Sequence, residues 1–596
     1  MPVDTIPGRF MEQDRIRPDS PAYFVRRGPA EGGTWQPTSW RTYVAEVRTA
    51  ARALLALGVS PGGTVCILGF NRPEWVIMDI AAMSIGGAPA GIYTTCSAEE
   101  VQYIIHHAES KVVLLEDLGQ WEKVQAKRDE LPMLEHVVMM KGAPEIDDPM
   151  VMSWEAFMAK AEEVEEQVVD QHVAKLDPEA TATLIYTSGT TGPPKGVMLT
   201  HKNLAWTSQI AQGLVGLRAH DCSLSYLPLS HIAEQMFSIH GPVTAGASVY
   251  FAESIERVPD NVKEVQPTIF FGVPRIWEKF YAGVSTKLEG ATGTKAKLLA
   301  WARGVGAQVH EARNSGRSPS PLLALQYELA SKLIFSKLKP ALGLGRARIC
   351  VTGAAPVAKE ILDFFASLDV VIREVYGQSE GCGPTSFNVP GRTRFGSVGP
   401  KIPGTDVKIA DDGEICLRGP NVFAGYYKDE ETTAETLIDG WLHSGDLGAF
   451  DADGYLNITG RKKDIIITAG GKNITPKNIE LSLKNIDIVG EAVLIGDRRK
   501  FISALISLDP DQMGDFCTKH GISADGASDH PIVREHVQKG VDETNRLFAR
   551  VEQVRKFTIL ANPLSPETGE LTPTLKVKRK VVNEKFETLI DAMYVD

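Results

Sequence analysis

Cysteine is sparse in this chain of 596 residues, and its seven copies stand singly: Cys66, Cys96, Cys222, Cys350, Cys382, Cys416 and Cys517, with no CxxC pair. That spacing suggests neither a disulfide framework nor a zinc centre, and it suits a reducing cytoplasm. An excess of positive charge is also lacking. The formal charge is -12 and the pI is near 5.7, the reverse of a nucleic-acid binder's basic footprint, so no nucleic-acid partner is expected. Long hydrophobic runs are missing too. No apolar stretch reaches the roughly 18 residues of a spanning helix, and residues 1–19 carry acids and arginines instead of an apolar leader. Peripheral contact with a membrane surface stays compatible with this composition. No repeat of solenoid period is evident.

What is present is ordinary globular material, 43% hydrophobic and 23% charged, in a length that calls for two or more domains. Residues 39–57 have helical periodicity and end at Gly58, a plausible C′ glycine; 64–68 form a short apolar strand; 74–85 read as a helix. Residues 112–115, 137–140 and 183–185 read as further buried strands. Such alternation implies α/β layering with parallel strands. Residues 162–171 are expected to form an acidic, solvated helix face. Residues 314–321, rich in Ser and Pro, read as a loop between helices.

After the apolar run 182–185 comes Ile-Tyr-Thr-Ser-Gly-Thr-Thr-Gly-Pro-Pro-Lys-Gly, residues 185–196. Gly189 and Gly192 permit positive-φ turns that converge backbone N–H groups on an anion, while Thr187, Ser188, Thr190 and Thr191 add hydroxyls. Lys195 offers a point charge to phosphates. A Walker loop closes with Gly-Lys-Ser/Thr, whereas Lys195 lies between Pro194 and Gly196, so a P-loop kinase or ATPase is disfavoured. A solvent-exposed loop without a ligand has the same composition. Other segments bear on the choice. Glu374-Val-Tyr-Gly-Gln-Ser-Glu-Gly381 joins an aromatic ring, a flexible turn and a carboxylate able to hold Mg²⁺. Gly353-Ala-Ala-Pro356 is small enough for a flat ring to approach its backbone. Asp446 is suited to accepting bonds from ribose hydroxyls, and Arg461 brings a guanidinium. Singly, Asp446 or Arg461 could be half of a structural ion pair, and Tyr376 a core aromatic.

In order and wording these segments together resemble the adenylate-forming superfamily of acyl-CoA synthetases, acyl-adenylating domains and luciferases, over nearly the whole chain. Residues 439–463 are similar to the signature stretch of fatty acyl-CoA synthetases. Phe271-Gly-Val-Pro-Arg-Ile-Trp-Glu-Lys279 and Thr468-Ala-Gly-Gly-Lys-Asn-Ile-Thr-Pro476 resemble the long-chain, bubblegum-type branch.

The resemblance implies a fold and a chemistry. The fold is α/β: a large multi-subdomain N-terminal adenylation domain, 1–460, with β-sheets sandwiched by helices, and a small, mobile α+β C-terminal domain, 461–596, hinged at Lys463. The chemistry is ATP-dependent ligation of a long-chain fatty acid to coenzyme A, through acyl-AMP and with release of pyrophosphate. Thr190 and Glu380 match the family's Mg²⁺ positions. Gly353, Ala354, Ala355, Pro356, Glu374 and Tyr376 match the adenine side; Gly377, Gln378 and Ser379 lie toward the α-phosphate; Asp446 and Arg461 match the ribose grip. Ser379 departs from the commoner Thr but keeps a hydroxyl. Lys576, in Leu571-Thr-Pro-Thr-Leu-Lys576, matches the terminal catalytic lysine; Leu575 stands where many relatives have Gly, leaving Lys578 as a second candidate. Gly470 and Gly471 match the passage for the pantetheine arm of CoA. His231 matches a gating or orienting position beside the reacting carboxylate, and Met236, Phe237, Ile239 and residues 270–273 could line an acyl tunnel or be plain core. Two alternatives stay open: an acyl-AMP ligase that delivers to a carrier protein, and a silent nucleotide-binding protein. Whether the protein is a monomer or a homodimer is also open.

Overall fold

The strand Thr64–Leu68 is buried at every position, because it lies inside an eight-stranded sheet covered on both faces. Its side chains alternate between two cores. Val65 and Ile67 join the helices Trp40–Ala56 and Pro73–Ser84, while Cys66 and Leu68 join the helix Ala98–Ala108. The helix ends follow local chemistry: Ser39 caps the first helix by accepting from Thr42 N at 3.3 Å, Gly58 turns out of it at φ 79°, and Ser97 with Glu100 closes a capping box. Strands 88–92, 112–115, 136–139 and 151–153 run parallel to this core, as does Thr181–Thr187. Lys195–Thr200 then returns antiparallel to Thr181–Thr187.

This computed structural model describes residues 4–29, 32–187, 192–523, 525–566, 568–572 and 576–595. A second sheet carries Ile269–Gly272, Ile349–Thr352 and Ile372–Gln378 in parallel, edged by antiparallel Gly383–Phe387. A third pairs Pro21–Arg27 with Ser248–Phe251, bringing the start of the chain against its middle. The strands Glu414–Arg418, Trp441–Phe450 and Leu456–Arg461 form an antiparallel sheet that leads to a short 3₁₀ turn, Lys462–Asp464. Beyond it, Val489–Ile495, Ile502–Leu508 and Val554–Ile559 pack with helices Pro476–Lys484, Pro510–His520 and Pro531–Asn545 around a core of their own.

The acidic stretch 162–171 is not the expected single helix. A 3₁₀ turn, Lys160–Glu163, ends at Val164 in extended backbone, and a separate helix, Val168–Ala174, begins afterwards and buries Val169. The acids stay exposed, but with four acids and Gln167 among residues 162–167 no apolar stripe exists to dock one continuous helix. The loop 314–321 does lie between helices Gly293–Asn314 and Pro321–Ala330. All seven cysteines are free and buried. Among the described residues no helix is long and apolar enough to cross a membrane.

Candidate active site

Register builds the centre of the site. Across the antiparallel pair Trp441–Phe450 and Leu456–Arg461, Asp446 stands opposite Arg461, and Arg461 Nε donates to Asp446 Oδ1 at 2.9 Å. The hydroxyl of Tyr376, near the end of Ile372–Gln378, donates to the other carboxylate oxygen at 2.8 Å. Asp446 is thus first an anchor for two cavity-facing groups, with one lone pair on each oxygen left for a further donor. Its carboxylate raises the Arg461 guanidinium above its ordinary value; burial, then Asp446, raises the Tyr376 phenol well above its own. Glu374 to Glu380 all face one cavity of about 1320 Å³. The segment is strand, not flexible turn, up to Gln378. At Gly377 a Cβ would meet the carbonyl oxygen of Gly383 at 1.7 Å, so only glycine lets the two strands approach.

Ala354, Ala355 and Pro356 line the same cavity. Ala354 holds φ 67°, a left-handed conformation that costs a non-glycine residue about 1 kcal/mol and clusters at ligand sites. Gly353 sits behind the lining, where a Cβ would strike Val375 Cγ1 at 2.6 Å. Glu374 accepts from Gly396 N at 2.9 Å, and burial pushes its carboxyl up to about 8. It thereby holds the neighbouring loop.

Lys576 reaches this cavity from the far end of the chain. It is open to the cavity yet walled in by protein. That burial, followed by the Arg461 guanidinium, lowers its ammonium to about 8, with Asp446 and Glu380 acting the other way. Lys578 points elsewhere, 3.9 Å from Glu100, so Lys576 is the lysine brought to the site. His231 also faces the cavity; its Nδ1 accepts from Ala233 N at 3.1 Å, capping Ile232–Gln235, and burial followed by the Lys576 charge pushes the imidazole down to about 4. It is a neutral ring beside a cation, unsuited to proton transfer near pH 7. Glu380 accepts from the Tyr426 hydroxyl at 2.8 Å. A cavity-facing carboxylate is a hard oxygen donor that fits Mg²⁺.

The loop of residues 185–196 joins two antiparallel strands, a hairpin and not the strand–loop–helix of a Walker site. Thr187, Gly192 and Lys195 line the cavity; Ser188, Gly189, Thr190 and Thr191 lie outside the described residues. Lys195 Nζ donates to Thr432 Oγ1 at 2.9 Å and lies 3.6 Å from Asp429 and 5.3 Å from the Tyr426 ring centre. It is therefore partnered by a hydroxyl and a carboxylate at the mouth of the cavity, where its point charge also faces the space a phosphate would take. Sequence reasoning missed these partners, and also Lys477, which faces the cavity and whose ammonium burial lowers. Its only signal was its place directly after the motif ending at Pro476.

Away from the charged end, the cavity is bounded by Ala211, Leu214, Leu217, Met236, Phe237, Phe271 and Val273. Phe237 and Phe271 stack with centroids 4.8 Å apart. Of the residues left open as tunnel or core, Ile239 and Phe270 are core, at 1% exposure. Gly470 and Gly471 sit on an exposed turn, outside the cavity lining, with Gly471 at φ 72°. Lys463 lies at the cavity edge in the 3₁₀ turn. Its neighbour Lys462 ties that turn back to Asp412 at 2.6 Å and Glu414 at 3.1 Å.

A charged end that opens into an apolar arm, reached by a lysine from the small C-terminal domain, suits a class: enzymes that activate an apolar acid. The family follows from comparison with known proteins. The chain belongs to the AMP-binding enzymes, whose family model matches residues 10–427, with the C-terminal domain of AMP-binding enzymes matching 463–596. It is 38% identical to the long-chain-fatty-acid–CoA ligase ACSBG2 of Xenopus laevis, over 96% of this chain and 82% of that protein. To human long-chain-fatty-acid–CoA ligase ACSBG1 it is 36% identical, over 94% and 82%. Among solved structures, the anthranilate CoA ligase AuaEII with anthranoyl-AMP is similar in fold, with TM-score 0.72 and 22% identity over 98% of this chain and 97% of that one.

Proposed function

We propose that the protein is an AMP-forming ligase that joins a long-chain fatty acid to coenzyme A in the cytoplasm. One observation carries this above the others: Lys576 enters the charged end of a cavity whose other end is apolar. The fatty acid carboxylate attacks the α-phosphorus of ATP, and pyrophosphate leaves. Lys576 meets the charge developing on the α-phosphoryl oxygens, a preorganised cation in a site it need not reorganise to serve. Tyr376 and the Ala354–Ala355 turn flank adenine, and the Asp446–Arg461 pair holds the ribose. Glu380, with Thr190, would hold Mg²⁺, which supplies charge neutralisation on the phosphates. The thiol of CoA then attacks the acyl carbonyl, and AMP leaves. For that step the small domain turns at Lys463, withdrawing Lys576 and presenting Gly470 and Gly471, where the lack of side chains leaves room for the pantetheine arm. The apolar arm takes the alkyl chain.

The test is incubation with ATP, Mg²⁺ and palmitate, following pyrophosphate, then addition of CoA. Absence of pyrophosphate refutes the ligase; acyl-AMP that never becomes a CoA thioester points to a carrier-protein acceptor.

A further inference from the structure

A second cavity, of about 650 Å³, lies at the opposite end of the strand Ile372–Gln378 from Tyr376. That volume is within the roughly 300–1,000 Å³ of small-molecule sites. Its walls carry Arg313, Arg317, Lys339, Arg348 and Arg373 against one acid, Asp369. Asp369 is already satisfied: it accepts from His310 at 2.7 Å, Tyr327 at 2.7 Å and Lys339 at 3.1 Å. Arg348 is paired with Asp221, outside the cavity. Arg373, Arg313 and Arg317 are left, and among the described residues none of the three has an ion pair. Arg373 is the anomaly. It is 8% exposed; one terminal nitrogen donates to the carbonyl of Val371 at 3.1 Å, while its buried Nε has no partner. A guanidinium taken out of water without a carboxylate is among the least favourable things a fold can hold, unless an anion completes it.

We propose that this cavity is a binding site for a phosphate dianion, either free or as the phosphate ester of a small molecule. Guanidinium forks match phosphate oxygens in pairs. Arg373 would contact the anion from the buried end. Arg313, in the last turn of the helix Gly293–Asn314 and held 4.6 Å over the Tyr327 ring, and Arg317, on the loop after it, would close on the anion. The side chains of Val370, Val371 and Pro390 give the cavity an apolar wall for the rest of an ester. Strand geometry puts Arg373 about 10 Å from Tyr376, so the site is separate from the nucleotide cavity but shares a structural member with it.

Thermal unfolding of the full chain at constant ionic strength, with 0 to about 20 mM inorganic phosphate replacing chloride, tests the proposal. A parallel arm with adenosine 3′,5′-bisphosphate separates free from esterified phosphate. The wild-type Tm should rise, Arg373→Met should keep only the part of the rise common to all variants, and the double variant Arg313→Ala, Arg317→Ala should need at least about tenfold more phosphate for the remaining, site-specific part. Phosphate held in the nucleotide cavity, or acting by general exclusion from the surface, is common to all variants and cancels. Without phosphate, Arg373→Met should unfold at the wild-type Tm or above it, because an unpaired buried charge has been removed. No rise in wild type, an undiminished rise in the variants, or a lowered Tm for Arg373→Met in phosphate-free buffer each overturns the proposal. If Arg373→Met fails to fold, the exposed double variant decides alone.

Discussion

Lys576→Ala removes one positive charge from the point where negative charge is proposed to build up. At about 4 Å and an effective dielectric near 20, that charge is worth about 4 kcal/mol, or about three orders of magnitude in rate. The loss should fall on adenylation alone, measured as palmitate-dependent pyrophosphate exchange, while thioester formation from preformed palmitoyl-AMP stays near wild type. The same lysine predicts a pH signature. Burial and Arg461 lower its ammonium to about 8, so in the free enzyme the active, charged form is lost as pH rises through that value. For adenylation, kcat/KM should therefore fall on an alkaline limb near pH 8. Bound phosphates favour the ammonium, so the corresponding limb of kcat should lie higher. The linkage for stability has the opposite sign. Between about pH 8 and 10 the unfolded chain binds the lysine proton and the folded one does not, so this group adds stability as pH rises there. Equal loss of both half-reactions in Lys576→Ala, or a kcat/KM profile flat from pH 7 to 9, would refute the assignment.

Asp446→Asn takes the charge from an acid that accepts from both Tyr376 and Arg461; at about 1–3 kcal/mol for such bonds, KM for ATP should rise roughly 10- to 100-fold, and an unchanged KM would remove Asp446 from the nucleotide grip. Gly377→Ala forces a methyl into the Gly383 carbonyl and should destabilise by about 3 kcal/mol or more, seen as a lowered urea midpoint; a wild-type midpoint would mean the strands part freely. Ala211→Phe should fill part of the apolar arm and shift preference from palmitate toward octanoate, whereas an unaltered ratio would place the alkyl chain elsewhere. Lys463→Pro fixes φ at the turn and should slow CoA transfer more than adenylation; two half-reactions at wild-type rates would misplace the hinge.

Local chemistry was legible from the sequence. The strands 64–68 and 112–115 fall where apolar runs placed them, and Ser39 and Gly58 bound their helix as residue type suggests. The pairing of distant segments was not. Nothing in residues 441–461 reveals that Asp446 faces Arg461, since register is set by strands meeting across a turn. Nor does a basic tail reveal that Lys576 enters the cavity while Lys578 turns to Glu100. The partners of Lys195 were hidden for the same reason: Asp429 and Thr432 come from a helix start that no local pattern ties to it. The choice between tunnel and core could not be made from sequence, because Phe270 and Phe271 are identical to a hydropathy scan and only strand alternation sends one to the core and the other to the cavity.

Arg461 is the last residue of its strand, and the 3₁₀ turn that holds Lys463 starts at the next position. The proposed nucleotide clamp thus ends one residue before the turn that holds the proposed pivot. If Lys463 is the pivot, everything proposed to hold the sugar and base precedes it in the chain, while Lys576, Gly470 and Gly471 all follow it. A reactive mixed anhydride can therefore be kept in place while the machinery around it is exchanged. The enzyme would commit to its intermediate at the first step and defer only the choice of what happens to it next.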